Sequence, residues 1–206
     1  AVLERAKQSG PPSFDLAFNL GGAYLVQGDL ASALDAYDQA LAQDAQSLPA
    51  LRQAAAIAEK RGEMERSLSY WIRARKIAGN DPSVLLGFGR VCLKMDLLED
   101  AEPALTKAAV LKPGDLPYQY ALAAAKVGKQ QFEEAEAILE ALLKTRPEDP
   151  HLLYALGAVF YTQGKLGEAT TRLNESLRRE PDQLASRYYL ALIARDAKSL
   201  RNAKPR

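Results

Sequence analysis

Reactive and metal-binding side chains are scarce in this chain of 206 residues, which holds one cysteine, one histidine, one tryptophan and two methionines. The single thiol, Cys92, excludes an intrachain disulfide and any cysteine-based zinc site. His151 has no nucleophile or orienting carboxylate placed near it by sequence, so no Ser/His or Cys/His catalytic set is legible. It reads as an exposed or groove-lining side chain in a helix's first turn. One histidine and one cysteine at unrelated places cannot supply a metal's ligands. Apart from the pair Gly21-Gly22, glycines stand singly, and no phosphate-cradling G-x-x-x-x-G-K-[ST] loop occurs. No apolar run approaches a membrane span, and no charged-then-apolar leader is present. An excess of one charge is also missing: 27 Lys and Arg face 26 Asp and Glu, which gives no field to attract nucleic acid or an anionic membrane. The charge is uneven, with eight basic and three acidic residues over 178–206 and six acidic and two basic over 133–149. Both stretches read as solvated faces. The expectation is a non-enzyme with no catalytic residue, cofactor or metal, no nucleic-acid partner and no membrane insertion. Cytoplasm and periplasm both stay open as its compartment.

What the chain does have is a period. Gly21, Ala55, Gly89, Ala123, Gly157 and Ala191 follow one another at 34 residues. Ala33, Ser67, Ala101, Ala135, Ala169 and Ala203 form a second ladder in constant register with the first, and Pro11, Ala45, Gly79, Pro113, Pro147 and Pro181 a third. A fixed period of this size is the mark of a stacked repeat array, in which each unit packs only on its neighbours and function is carried by a long surface.

Each unit reads as two helices. Complete units run 14–47, 48–81, 82–115, 116–149 and 150–183, with partial units at 1–13 and 184–206. In the fifth, Leu153, Leu156, Gly157 and Phe160 recur at helical spacing, Gln163-Gly164-Lys165 turns the chain, and Leu166 to Arg179 forms the second helix before Glu180-Pro181. Asp81-Pro82 and Asp149-Pro150 place a capping carboxylate before a first-turn proline, and Ser13 and Ser47 are hydroxyl caps. The small ladders predict close helix approach, with large residues such as Tyr37, Trp71, Leu105, Leu139 and Leu173 filling the space opposite. Cys92, at the place of Tyr24 and Phe160, reads as a small core residue. Inter-helix turns are expected near Gly28, Gly62, Asp96, Gly128 and Gly164.

The stretch Asn19-Leu20-Gly21-Gly22-Ala23-Tyr24, continued by Gly28 and Ala33, resembles the tetratricopeptide repeat, whose pattern joins L-G-x-x-Y to a following G-x-x-x-x-A. Leu156-Gly157 with Phe160, Gly164, Ala169 and Pro181 matches again. Unit 116–149 departs most, with Lys126 for the aromatic and Gly128 two residues early; unit 48–81 drifts at Ala58 and Ser67. The resemblance implies an all-α fold over 1–206, a solenoid of helix-turn-helix repeats wound as a right-handed superhelix. Leu200 to Pro205 aligns with Leu98 to Pro103, so both ends are expected to fall inside a second helix, as in a piece cut from a longer array. Self-association through those ends is left open.

The same resemblance implies that the first helices line a concave groove. Phe18, Arg52, Leu86, Tyr120, Tyr154 and Tyr188, three residues before the first ladder, are expected to point into it. Tyr161 and Tyr189 are expected to flank the tyrosine row, with Ala121, Ala124, Ala155 and Ala158 leaving room between. Tyrosine offers an apolar face with a polar tip, as protein-binding surfaces favour. Asn19, Gln53 and Arg90 add polar groups, the amides suited to holding a bound backbone. The Lys/Asn/Arg set with which related arrays grip a terminal carboxylate is missing at Phe18, Gly22, Gln53, Ser83 and Gly87. The expected function is a scaffold that takes a protein or peptide segment in its groove. The alternative is a non-catalytic arm of a larger multidomain enzyme or secretion assembly.

Overall fold

The computed structural model describes the backbone of residues 13–203 and their side chains except those of Ala197 and 199–203. The partial unit expected over 1–13 therefore lies almost wholly outside the described residues. Helices begin at alternating steps of 16 and 18 residues, so each pair repeats at 34. They are α1 (Phe14–Val26) and α2 (Leu30–Gln43), α3 (Leu48–Lys60) and α4 (Met64–Ile77), α5 (Pro82–Lys94) and α6 (Leu98–Leu111), α7 (Leu116–Gly128) and α8 (Phe132–Thr145), α9 (Pro150–Thr162) and α10 (Leu166–Arg179), and α11 (Leu184–Ala203). No strand occurs among the described residues. The fold is an all-α solenoid of helical repeats.

Local chemistry sets the boundaries. Asp81 accepts from the amides of Ser83 at 2.8 Å and Val84 at 3.3 Å, and Asp149 accepts from His151 at 3.0 Å and Leu152 at 3.2 Å. Ser13 and Ser47 cap α1 and α3 in the same way, each at 3.4 Å. These bonds satisfy amides that have no intrahelical partner. The inter-helix turns fall on Gly28, Gly62, Asp96, Gln130 and Gly164, all left-handed with φ between 58° and 79°. The fourth turn lies near Gly128 as expected but takes its left-handed residue two positions later, while Gly128 itself ends α7 as an ordinary helical residue. Register outweighs residue preference: pairing α7 with α8 demands the left-handed step two residues later, and Gln130 takes it despite its Cβ.

The ladders pair small with large. A Cβ on Gly21 would lie 2.8 Å from the Tyr37 ring, one on Gly89 2.5 Å from Leu105, and one on Gly157 2.8 Å from Leu173. Each partner lies on the repeat's own second helix. Trp71 behaves differently, because its ring fills the space over Gly87 of the next repeat, 2.3 Å from where a Cβ would stand. Ser67, which replaces alanine in the second ladder, is buried and donates to the Ala55 carbonyl at 2.8 Å. Cys92 is fully buried, and burial pushes its thiol up to about 11.

The chain divides at Lys112/Pro113 into two compact units. In the first, α1 to α6 pack each on the next; in the second, α7 to α10 do so, and α11 packs on both α9 and α10. The turn at the division holds Gly114 at φ 74°, the one left-handed residue in an inter-repeat turn among the described residues. The second unit's core gathers Leu139, Leu142, Leu152, Leu156, Val159 and Phe160 around the small Ala123, Ala135 and Ala169.

At the last helix the sequence expectation fails in two ways. Residues 200–203 continue α11 instead of opening a second helix. The left-handed turn position in register with Gly164 is Lys198, which stays within α11. Ala191, the sixth member of the first ladder, is exposed.

Candidate functional site

The first helices of the second unit frame an open cleft of about 230 Å³. Its base is made by Ala123, Leu139 and Val159, which also belong to the core. Ala124, Ala155 and Ala158 line it without filling it, and the rings of Tyr120, Tyr154 and Tyr189 border it. The room exists because alanine stands on successive turns of α7 and α9 where Leu or Tyr would close the gap. Val127 and Thr162 complete the lining toward the helices' C-terminal ends. No charged side chain among the described residues lines it.

A second opening of about 320 Å³ lies at the N-terminal ends of the same two helices, lined by Leu116, Pro117, Tyr120, Asp149, His151 and Leu152. Tyr120 lines both openings, so its ring divides one trough into two compartments. Burial raises the pKa of the Tyr120 phenol, with the Asp149 carboxylate adding to the rise. Tyr154 is raised by burial too, and next by the Tyr189 and Tyr120 phenols. These hydroxyls stay neutral donors across the physiological range.

An aromatic cluster holds one side. Tyr189 meets Tyr154 with ring centroids 5.9 Å apart, Tyr161 edge-on at 5.4 Å and Tyr188 edge-on at 5.7 Å. Such edge-on pairs are the favoured aromatic geometry. Tyr161 donates to Asp196 Oδ2 at 2.9 Å, which ties α9 to α11 and raises its own pKa.

Of the expected groove residues, Tyr120 and Tyr154 are half-buried and border the cleft. Tyr188 does not; Tyr189 takes that place. Gln183 and Ser186 are buried against Ser176, and Tyr189 and Ile193 continue that inward face of α11 at helical spacing. Leu184, Tyr188 and Ala191 therefore face solvent, with Tyr188 61% exposed. Tyr161 packs behind Tyr189 instead of lining the cleft, and Ala121 is buried.

In the first unit Phe18 stacks on Phe14 at 5.7 Å and meets Tyr37 edge-on at 5.3 Å, and Leu86 is half-buried. Asn19, Arg52 and Gln53 are exposed, and Arg90 pairs with Glu59 at 3.4 Å beside Lys94 at 2.6 Å. Sequence reasoning missed Val127, Leu139, Val159, Leu116 and Pro117 in the trough. The run 116–120–123–127 at helical spacing is the signal that finds the α7 members.

His151 is exposed, its Nδ1 3.4 Å from Gln183 Nε2. No group of three His, Cys, Asp or Glu side chains arranged to hold a metal occurs among the described residues. No described helix is long and apolar enough to cross a membrane.

The fold is that of solved tetratricopeptide proteins. One from Parabacteroides merdae superposes with a TM-score of 0.81 at 18% identity, covering 95% of this chain and 76% of its own. YrrB, described as having an unusual peptide-binding site, gives 0.74 at 17% identity over 91% of this chain and 97% of its own. MamA from Desulfovibrio magneticus gives 0.76 at 20% identity over 82% and 96%. No curated protein sequence matches the chain significantly. A family profile described as the Cilia and flagella-associated protein 70 C-terminal domain matches residues 2–206. With its helix pairs, left-handed turns and small-to-large ladders on that framework, the chain belongs to this tetratricopeptide-repeat family.

Proposed function

We propose that the chain is a non-catalytic interaction scaffold whose partner seats an apolar segment in the cleft between α7 and α9. The observation that carries the reading is an open, uncharged cleft bordered by Tyr120, Tyr154 and Tyr189 beside four alanines. A contiguous apolar opening on a folded surface is disfavoured unless something covers it. Tyrosine is also among the residues that dominate binding energy. The peptide site of YrrB shows that this fold can serve such a role. The exposed Asn19 and Gln53 amides of the first unit are suited to hydrogen-bonding a partner's backbone, with Arg52 and Arg90 also exposed there. The 34-residue period runs unbroken through 112–113, which supports treating the units 14–47 to 150–183 as one array.

The test is affinity capture with the whole chain, compared across variants. Truncating a tyrosine hot spot costs about 2 kcal/mol or more, so Tyr154→Ala and Tyr189→Ala should each lose the captured protein at matched loading. Arg90→Ala should retain it. The opposite pattern would move the binding surface to the first unit. The alternative, an arm of a larger assembly, draws support from the match to a domain described as the C-terminal part of a protein.

A further inference from the structure

We infer that the occupant of the α7–α9 trough is an amphipathic α-helix with a basic terminus. The inference rests on the cleft being the binding site and names the class of segment it takes. Three observations carry it.

The first is the lack of groups that could serve an extended backbone. A strand laid in a groove leaves amides and carbonyls to be satisfied by the protein, and a buried unpaired one costs as much as a lost hydrogen bond. Among the lining residues of the two compartments, the polar side chains between the trough's ends are the hydroxyls of Tyr120, Tyr154 and Tyr189, while Thr162 at the C-terminal end already donates to the Val159 carbonyl at 2.7 Å. The amides expected in the groove, Asn19 and Gln53, belong to the first unit. A helix satisfies its own backbone and needs none of them.

The second is spacing. The two compartments are centred near residues 117 and 124 of α7, about 10 Å apart at 1.5 Å per residue. One side chain of a bound helix enters the cleft over Ala124 and Ala158, and another two turns away enters the compartment beyond Tyr120. That is the i, i+7 separation of a helix laid along a groove. Alanine at 124, 155 and 158 lets such a helix approach closely, as the chain's own small ladders do at Gly21, Gly89 and Gly157.

The third is charge. The N-terminal end of the trough carries the Asp149 carboxylate against Tyr120. Asp115, the N-cap of α7 and so at the same end of that helix, is exposed and makes no side-chain cap bond. Glu180 lies 3.9 Å from His151 Nε2 at the same end. Lysine or arginine at the end of the bound helix that overlies Asp149 meets this acidic rim.

The experiment is selection of a random display library of about 16-residue peptides, enough for roughly four helical turns, on the full chain, with every enriched peptide re-measured by fluorescence anisotropy on Ala124→Arg and Ala158→Arg. Circular dichroism confirms that both variants keep their helix content. The expected result is enriched peptides with apolar residues at i, i+3 or i+4, and i+7 and a basic end. They should gain helicity on binding and lose about tenfold or more in affinity on either variant, as blocking a contact centre does. Peptides sensitive to both variants but alternating apolar and polar residues, or carrying central prolines, would overturn the helical occupant while leaving the cleft as the site. Peptides insensitive to both variants, or no enrichment, would overturn the occupant and the site together.

Discussion

Gln130 carries strain that glycine would remove. Its φ of 60° is a conformation L-residues avoid by roughly 1–2 kcal/mol, and it sits where Gly28, Gly62 and Gly164 sit in other repeats. Gln130→Gly should therefore raise stability by about 1 kcal/mol in a thermal melt. Asp96→Gly should raise it less, because aspartate tolerates the left-handed region better. The opposite sign is expected at Gly157, where a Cβ would lie 2.8 Å from Leu173 and 3.3 Å from its backbone amide. Gly157→Leu overpacks that contact and should cost on the order of 1–3 kcal/mol or more; a variant melting with the parent would overturn the close approach. Both partners were legible in the sequence, since the ladders pair them at constant separation. The turn at Gln130 was legible only in register, 34 residues after Asp96, because residue preference pointed to Gly128.

At the scale of the helix, the caps are the most local device and the easiest to test. Asp81 holds the first turn of α5, and its carboxyl titrates below the usual carboxylate range, chiefly through the Ser83 hydroxyl and then the Ser83 and Val84 amides. A carboxyl with a lowered folded pKa stabilises above its unfolded value and loses that contribution as pH falls through the folded one. Acid titration of stability should accordingly flatten in Asp81→Ala between the ordinary aspartate pKa and the lowered one, alongside a loss of about 1 kcal/mol near neutrality. The cleft tyrosines run the other way. Burial raises Tyr154, so its neutral form stabilises below the ordinary phenol pKa, and that contribution fades as pH climbs through the raised one. The ultraviolet tyrosinate difference between the parent and Tyr154→Phe should show one phenol titrating above the ordinary value. α11 is the element the sequence misjudged, since its register aligned with a helix pair while its residues run as a single helix.

Across the whole molecule, stability should follow neighbours. Leu156 is fully buried in the second unit's core, and Leu156→Ala should cost about 2–5 kcal/mol there. Hydrogen exchange should report it as faster exchange through α7 to α10, with α1 to α4 retaining parental protection. Uniform acceleration over all helices would instead mean that the two units unfold as one.

The period of 34, the helix pairs, most caps and the small-to-large ladders were determined by the sequence alone. Each depends on residues near one another along the chain or repeated at fixed distance, and periodicity is visible in one dimension. Tertiary structure decided how each helix is rotated about its axis. The buried contact of Ser176 with Ser186 and Gln183 turns α11 so that Tyr189 borders the cleft and Tyr188 meets solvent. It also decided that Tyr120 divides the trough in two and that Leu139 of a second helix lies at its base. A rotation of one residue, about 100° on a helix, is set by burial between segments far apart in the chain, and no local pattern encodes it.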